Sequence, residues 1–100
     1  MTAYLVGAID IHDEEKYGKY RAGVGPLFSE FPGLEVLSVD DDAVVFEGQR
    51  PANHQFIIKF QSIEQIKQFL DSDVYRAAAV HRRNSSVTRY IMAMRGTDEG

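Results

Sequence analysis

Three stretches of this chain read as β-strands that are apolar on both faces. In "AYLVGAIDIH" (3–12), Leu5, Ile9 and Ile11 alternate with Tyr4, Val6 and Ala8. In "VTRYIMAMR" (87–95), Ile91 and Ala93 face away from Tyr90, Met92 and Met94. In "HQFIIKFQ" (54–61), His54, Phe56, Ile58 and Phe60 share one face, and Ile57 joins Gln55 and Lys59 on the other. An antiparallel sheet with one wet face alternates apolar and polar residues; these strands do not. The rest of the chain supplies helix enough to cover only one face of a four- or five-stranded sheet. Left in water, the second face would form an apolar patch of roughly several hundred Å², which monomers seldom carry. A two-fold partner sheet is the simplest cover, and at about 25 cal/mol per Å² an interface of roughly 1,600 Å² supplies ample driving force. A homodimer is therefore expected.

The other segments fit this frame. Asp13 caps a helix whose acidic first turn suits the positive end of the helix dipole. Tyr17, Tyr20, Val24, Leu27, Phe28 and Phe31 recur at three- and four-residue steps along it. Its glycines suit close packing against the sheet, and Pro26 should kink it. "FPGLE" (31–35) ends the element. "LEVLSV" and "AVVFEG" are two extended runs flanking the acidic triplet 40–42, which reads either as a tight turn in a hairpin or as a bulge in one bent strand over 34–48. Ser62 with Gln65 forms a capping box before Ile63, Ile66, Phe69 and Leu70. Ser72 or Asp73 restarts the helix through "VYRAAAVHRR", whose alanines should lie on the sheet. The order is strand, helix, two or three strands, a helix pair, strand: one α+β domain over 1–96, a ferredoxin-like sandwich with an antiparallel sheet and helices on one face, and a flexible tail over 97–100.

Composition narrows the function classes. The 100 residues carry 11 basic and 15 acidic side chains, a net charge of −4, and no cysteine. An acidic chain without aromatic–basic interleaving is a poor match for nucleic acid. No run approaches the roughly 18–20 apolar residues of a membrane span, and the opening residues lack the basic region of a secretory signal. A soluble cytoplasmic protein is expected.

The stretches "VFEGQRP" (45–51), "IIKFQSIEQIKQFLDSDVYRAAAVHR" (57–82) and the closing "YIMAMRG", with "AYLV" near the start, resemble the domain-of-unknown-function family 1330, within the dimeric α+β-barrel superfamily. The resemblance spans about residues 3–96; its most specific parts are Glu47-Gly48 with Pro51, Phe60-x-Ser62, and Ser72-x-x-Tyr75 with Arg82 seven residues on. Asp73-Val74 stands where the family often has Pro-Glu, and "VDDDAV" is more acidic than its usual glycine-rich turn. The resemblance implies a ferredoxin-like subunit whose sheet closes a barrel with a second copy. It implies no reaction: the superfamily holds cofactor-free monooxygenases, lactone isomerases, haem-dependent chlorite dismutases and effector-binding domains, and fold does not fix function.

Candidate chemistry centres on few residues. Tyr75, Ala78, Ala79 and Arg82 share a helical stripe, so Arg82 extends a packed face and should meet a carboxylate, Glu47 or Asp10, or a ligand anion. Tyr17 and Tyr20 either bury their rings or present hydroxyls at a cleft mouth opposite Tyr75. Asp10, Glu47 and Lys59 could do acid–base work if desolvated. Asp10 and His12 lie at i and i+2, but neither they, His54 nor His81 show a zinc-ligand spacing, so no metal site is expected. No G-x-S-x-G, calcium loop or phosphate-binding glycine loop is present, and no cofactor is expected. Two readings follow. One is a homodimer binding a small organic molecule, acidic or aromatic, in a helix–sheet cleft rimmed by Tyr17, Tyr20, Glu47, His54, Tyr75 and Arg82. It could act as a cofactor-free enzyme in which Arg82 holds an anionic group and Glu47 or His54 moves a proton. The other is a non-catalytic structural dimer. A cavity of about 300 Å³ or more with converging polar groups marks the first; Arg82 and Glu47 satisfying each other in a closed core marks the second.

Overall fold

A computed structural model describes residues 1–98. The elements run β1 (Ala3–Ile11), α1 (Glu14–Val24), a 3₁₀ turn (Gly25–Ser29), β2 (Glu35–Asp40), β3 (His54–Phe60), α2 (Ile63–Asp71), α3 (Asp73–Ser85) and β4 (Ser86–Arg95). They build one sheet in the order β2-β3-β1-β4, with every neighbouring pair antiparallel. This is the ferredoxin-like α+β topology, its second helical position filled by the α2–α3 pair. The chain is a slab of 39 × 37 × 16 Å, one sheet and one helical layer thick.

Local signals explain the boundaries. Asp13, Ser62 and Ser72 each accept a hydrogen bond from the backbone N–H three residues on, capping α1, α2 and α3. The capping box at α2 is modified: Gln65 Oε1 accepts from the Gln61 N–H rather than from Ser62, while its Nε2 donates to the Pro32 carbonyl. One side chain thus ties the start of α2 to the Pro-Gly turn, where Gly33 takes a φ of 80°. Pro26 does not bend α1 but ends it; the chain continues as a 3₁₀ turn with the proline in its opening positions.

Between sheet and helices, Leu5, Ile58 and Phe60 pack against Val24, Leu27, Ile66, Phe69 and Tyr75. Phe69 is the hub, with the rings of Phe28, Phe31, Phe60 and Tyr75 all within 6.0 Å of its centroid. The alanines of α3 do not lie chiefly on the sheet as expected. Ala78 meets α1, where a Cβ built on Gly23 would come within 2.9 Å of the Ala78 Cβ. The missing side chain at 23 lets the two helices approach; it serves helix–helix packing rather than helix–sheet packing.

The second extended run is not a strand. Residues 43–48 pair with nothing in the subunit, and Val44 and Phe46 are 77% and 93% exposed. The acidic triplet supplies the reason: Asp40 Oδ1 captures the Asp42 N–H, and Arg50 Nη1 bonds the Asp41 carbonyl and the Asp42 carboxylate, closing a loop. The irregularity in the ladder lies earlier, between Val36 and Ser38 of β2. Of the tail expected over 97–100, residues 99 and 100 fall outside the described residues; Asp98 accepts hydrogen bonds from the Thr2 backbone and hydroxyl.

The sheet face away from the helices is apolar over three strands. The register aligns Ile57, Val6 and Met92 in one row and places Tyr4 beside Met94 and Ala8 beside Tyr90. Ile57, Tyr90, Met92 and Met94 are all exposed. Polar residues Glu35, Ser38 and Asp40 of β2 border the patch on one side.

Candidate functional site

A cavity of about 250 Å³ opens between the helical layer and the β2 end of the sheet. Leu5, Ile58 and Ile91 form its floor, Val36 and Val39 its outer wall, and Val24, Phe28 and Phe69 its roof. Polar groups enter from α1, α3 and β3: Tyr17, Tyr20, Arg21, Tyr75 and His54.

His54 is set by two clamps. The first is Asn53, whose Oδ1 accepts from the Ile11 N–H at 2.8 Å and whose Nδ2 donates to the Ile11 carbonyl at 2.9 Å. This side chain extends the β1–β3 ladder past its last backbone pair. Asp10 completes the clamp, accepting from the Asn53 N–H and from Arg89 Nε at 2.5 Å. The Arg89 hydrogen bond holds the Asp10 carboxyl below the ordinary carboxylate range. Asp10 is thereby engaged as a structural anchor. The second clamp is Asp41, whose Oδ1 lies 2.5 Å from His54 Nδ1. His54 is 5% exposed, while the Asp41 side chain reaches water.

The tyrosines form a run of aromatic rings from His54 to α3. The Tyr17 ring stands edge-on to His54 at 5.6 Å and 5.2 Å from Tyr20, and the Tyr20 hydroxyl lies 3.2 Å from that of Tyr75. Burial pushes the Tyr17 phenol up to about 12 against the opposing pull of the Arg21 and Arg82 guanidiniums. Burial, with the charge and hydrogen bond of Tyr75, pushes Tyr20 higher still. Both hydroxyls stay protonated at any physiological pH and so keep a proton to donate. The Arg21 guanidinium stacks 4.6 Å over the Tyr17 ring and bonds Glu14.

Of the residues singled out from the sequence, Tyr17, Tyr20, His54 and Tyr75 share the cavity wall, and Glu47 and Arg82 do not. Glu47 is exposed on the 41–53 loop. Arg82 meets neither Glu47 nor Asp10. Its buried guanidinium donates from Nη1 to Thr88 Oγ1 at 2.5 Å, leaves Nε without a partner, and sits 5.8 Å from the Tyr20 ring, behind the wall. His12 is exposed and His81 half-buried, away from the cavity. Sequence reasoning missed Asp41 and Arg21. The first lies thirteen residues from its partner, within an acidic run that reads as a turn; the second follows Tyr20 directly, so the stripe rule assigns it to another face. Among the described residues no three His, Asp or Glu side chains gather to hold a metal ion, and no helix is long and apolar enough to cross a membrane.

A ferredoxin-like domain with an aromatic cavity under its helices and an apolar outer sheet face is the class defined by this fold and site. The chain belongs to the family described as domain of unknown function DUF1330, whose model matches residues 2–97. None of the curated proteins matches it. Among solved structures, it is similar to RPA0582, a protein of unknown function from Rhodopseudomonas palustris, at 17% identity and a TM-score of 0.76 over 95% of this chain and 82% of that one. It is similar also to a dimeric ferredoxin-like protein of unknown function from Jannaschia sp. CCS1, at 9% identity and a TM-score of 0.69 over 96% and 100%. A third is SnoaB, a cofactor-independent oxygenase from Streptomyces nogalater, at 12% identity and a TM-score of 0.67 over 95% and 92%. At these identities the likeness carries the fold alone.

Proposed function

We propose that the protein is a homodimer that binds a small, flat, mainly apolar organic molecule in the cavity between α1, α3 and the sheet. The observation that carries this reading is the cavity itself: about 250 Å³, smaller than the roughly 300 Å³ expected from the sequence, walled by aliphatic and aromatic side chains, into which an imidazole and three phenols project. Ligand sites typically combine an apolar lining with a few convergent polar groups. Of the acidic and aromatic ligands the sequence leaves open, the lining favours the aromatic. The buried cation Arg82 stands off the wall, and the one guanidinium on it, Arg21, is already stacked on Tyr17 and paired with Glu14. The rival reading, a closed structural core, required Arg82 and Glu47 to satisfy each other, and they are apart.

Support for the homodimer comes from the row Ile57–Val6–Met92 and its flanking Tyr90 and Met94, exposed on the sheet face that no helix covers. The dimeric state of the Jannaschia protein of similar fold points the same way. The cofactor-independent oxygenase of this fold supports extending the ligand-binding reading to an enzyme that uses only its own side chains.

Thermal-shift screening of small neutral aromatic compounds tests the reading. A ligand at a hundred times its Kd stabilises by about 2.7 kcal/mol, a readily measured rise in Tm. The shift should vanish in Ile91→Phe, which fills the floor, and persist in Glu47→Gln. A library without any hit, or hits unaffected by Ile91→Phe, overturns it.

A further inference from the structure

The His54–Asp41 pair is not explained by packing. A histidine 5% exposed could satisfy both ring nitrogens with backbone groups; this one reaches instead to a loop carboxylate whose own side chain is mostly in water. A carboxylate accepting from Nδ1–H fixes that tautomer, so the neutral ring carries its free lone pair on Nε2. Among the described residues Nε2 takes no hydrogen bond, and it is not among the sealed polar atoms without a partner. The ring lines the cavity, which gives that lone pair a place to act. Further along the same cavity stand Tyr20 and Tyr75, whose hydroxyls touch at 3.2 Å. Only one of two touching hydroxyls needs to donate to the other, so one O–H remains for a third oxygen.

We propose that the cavity carries out proton transfer on an enolisable aromatic ketone, with His54 as the base, Asp41 as its positioning residue, and the Tyr20–Tyr75 pair as donor to the developing oxyanion. The inference rests on the small-molecule reading above and names the substrate class and the chemistry of that site. In the step, a C–H bond next to the carbonyl breaks and its proton forms an N–H bond at His54 Nε2. The C–H electron pair becomes a carbon–carbon double bond and the carbonyl π pair moves onto oxygen, giving an enolate that accepts from a tyrosine hydroxyl. The imidazolium is balanced by Asp41. Returning the proton to carbon regenerates the base, so no oxidant, reductant or metal enters. The groups have the character each role needs. A buried phenol that resists ionisation donates rather than dissociates, and a pre-oriented donor in an apolar-lined cavity stabilises an oxyanion more than water does. The charged groups near His54 include Asp41 on its loop, Asp10 of β1, which holds the adjacent Asn53 N–H and pairs with Arg89, and, beyond Tyr17, Arg21 of α1.

Phenylacetone, whose benzylic protons are enolisable, is the probe. In deuterium oxide the wild-type protein should speed loss of its benzylic proton signal, with binding read in parallel from the Tm. His54→Gln should lower that exchange by about 100-fold or more, the usual contribution of a general base. Asp41→Asn should lower it by about tenfold or more, through the loss of an orienting partner, with Asp41→Glu restoring part of it. Nitrogen NMR of the free wild-type protein supplies a measurement independent of any variant's folding: the His54 ring should carry its proton on Nδ1, and Asp41→Asn should mix the tautomers. Phenylacetone that neither binds nor exchanges counts against both the cavity reading and this one. Binding without catalysed exchange, exchange retained in a folded His54→Gln, or a ring protonated at Nε2 overturns the proton transfer alone.

Discussion

The Gly23–Ala78 contact sets how closely α1 approaches α3, and with it the spacing of Tyr20 and Tyr75 across the cavity. Consider Gly23→Ala. In a helix interior the change should help by about 0.5–1 kcal/mol, because alanine loses less backbone freedom than glycine. At this position the new Cβ would lie 2.9 Å from the Ala78 Cβ, closer than two methyl groups can sit. Overpacking of this kind costs typically about 1–3 kcal/mol, so the net effect is destabilisation by up to about 2 kcal/mol. Ala78→Gly should cost about 1 kcal/mol in helix propensity and about 0.8 kcal/mol for one buried methyl. In the double variant the methyl has only changed sides: the propensities cancel, the clash is gone, and stability should return to within about 0.5 kcal/mol of wild type. The two sites would then couple by about 2–4 kcal/mol, at or above the upper end of what neighbouring residues show. Urea unfolding at one fixed protein concentration measures all three, since the proposed association would make midpoints depend on concentration. If Gly23→Ala is more stable than wild type by about 1 kcal/mol and the double variant merely sums the singles, the close approach does not exist. The account of why this helix carries a glycine there would then be wrong.

Other outcomes follow from the same structure. Met92→Asp, in the middle of the outer apolar row, should convert the protein to an 11.3 kDa species in light scattering; a wild type that already scatters as that species at micromolar concentration defeats the dimer. Tyr17 carries a pKa raised to about 12 from an ordinary value of 10.0. Its contribution to stability is therefore whole below pH 10 and lost as pH rises through 12. Alkaline titration of phenolate absorbance should show a step near pH 12 that Tyr17→Phe removes. Asp10 has the opposite sign: its folded pKa is lowered from 3.8, so its contribution is present above that value and fades as pH falls below it. The stability gap between wild type and Asp10→Asn should accordingly close in acid. Phe69→Ala, at the hub of four rings, should cost about 3–5 kcal/mol by denaturant unfolding.

Much of the fold is legible in the sequence because its signals are local. Asp13, Ser62 and Ser72 cap the helices they precede, and the two-residue alternation in β1, β3 and, from Tyr90 on, β4 assigns each side chain to its face. What escapes is set by residues distant in sequence. Nothing in "DDD" distinguishes Asp41, which reaches His54, from Asp40 and Asp42, which fold the turn. The run "AVVFEG" has strand composition, but the hydrogen bonds of Asp40 and Arg50 fold the chain into a loop there and leave the outer edge of β2 unpaired. Arg82 attracts a carboxylate partner in any pattern argument, yet the bulge in the β1–β4 ladder after Ala8 resets the register and brings Thr88 opposite Ile9 on the helix side, where a hydroxyl meets the guanidinium. Helical spacing groups Tyr20 with Tyr17, and only the crossing of α1 over α3 brings its hydroxyl to Tyr75.

The cavity's outer wall is made by β2, a six-residue strand at the border of the sheet, bonded on one side only. The frame of the molecule (β1, β3, α1 and α3) would stand without the side chains of Val36 and Val39. Substitutions at these two positions can therefore reshape what fits inside without loosening what holds the subunit together. Recognition and robustness reside in different strands, and a chain built this way can change its preferred guest one border residue at a time.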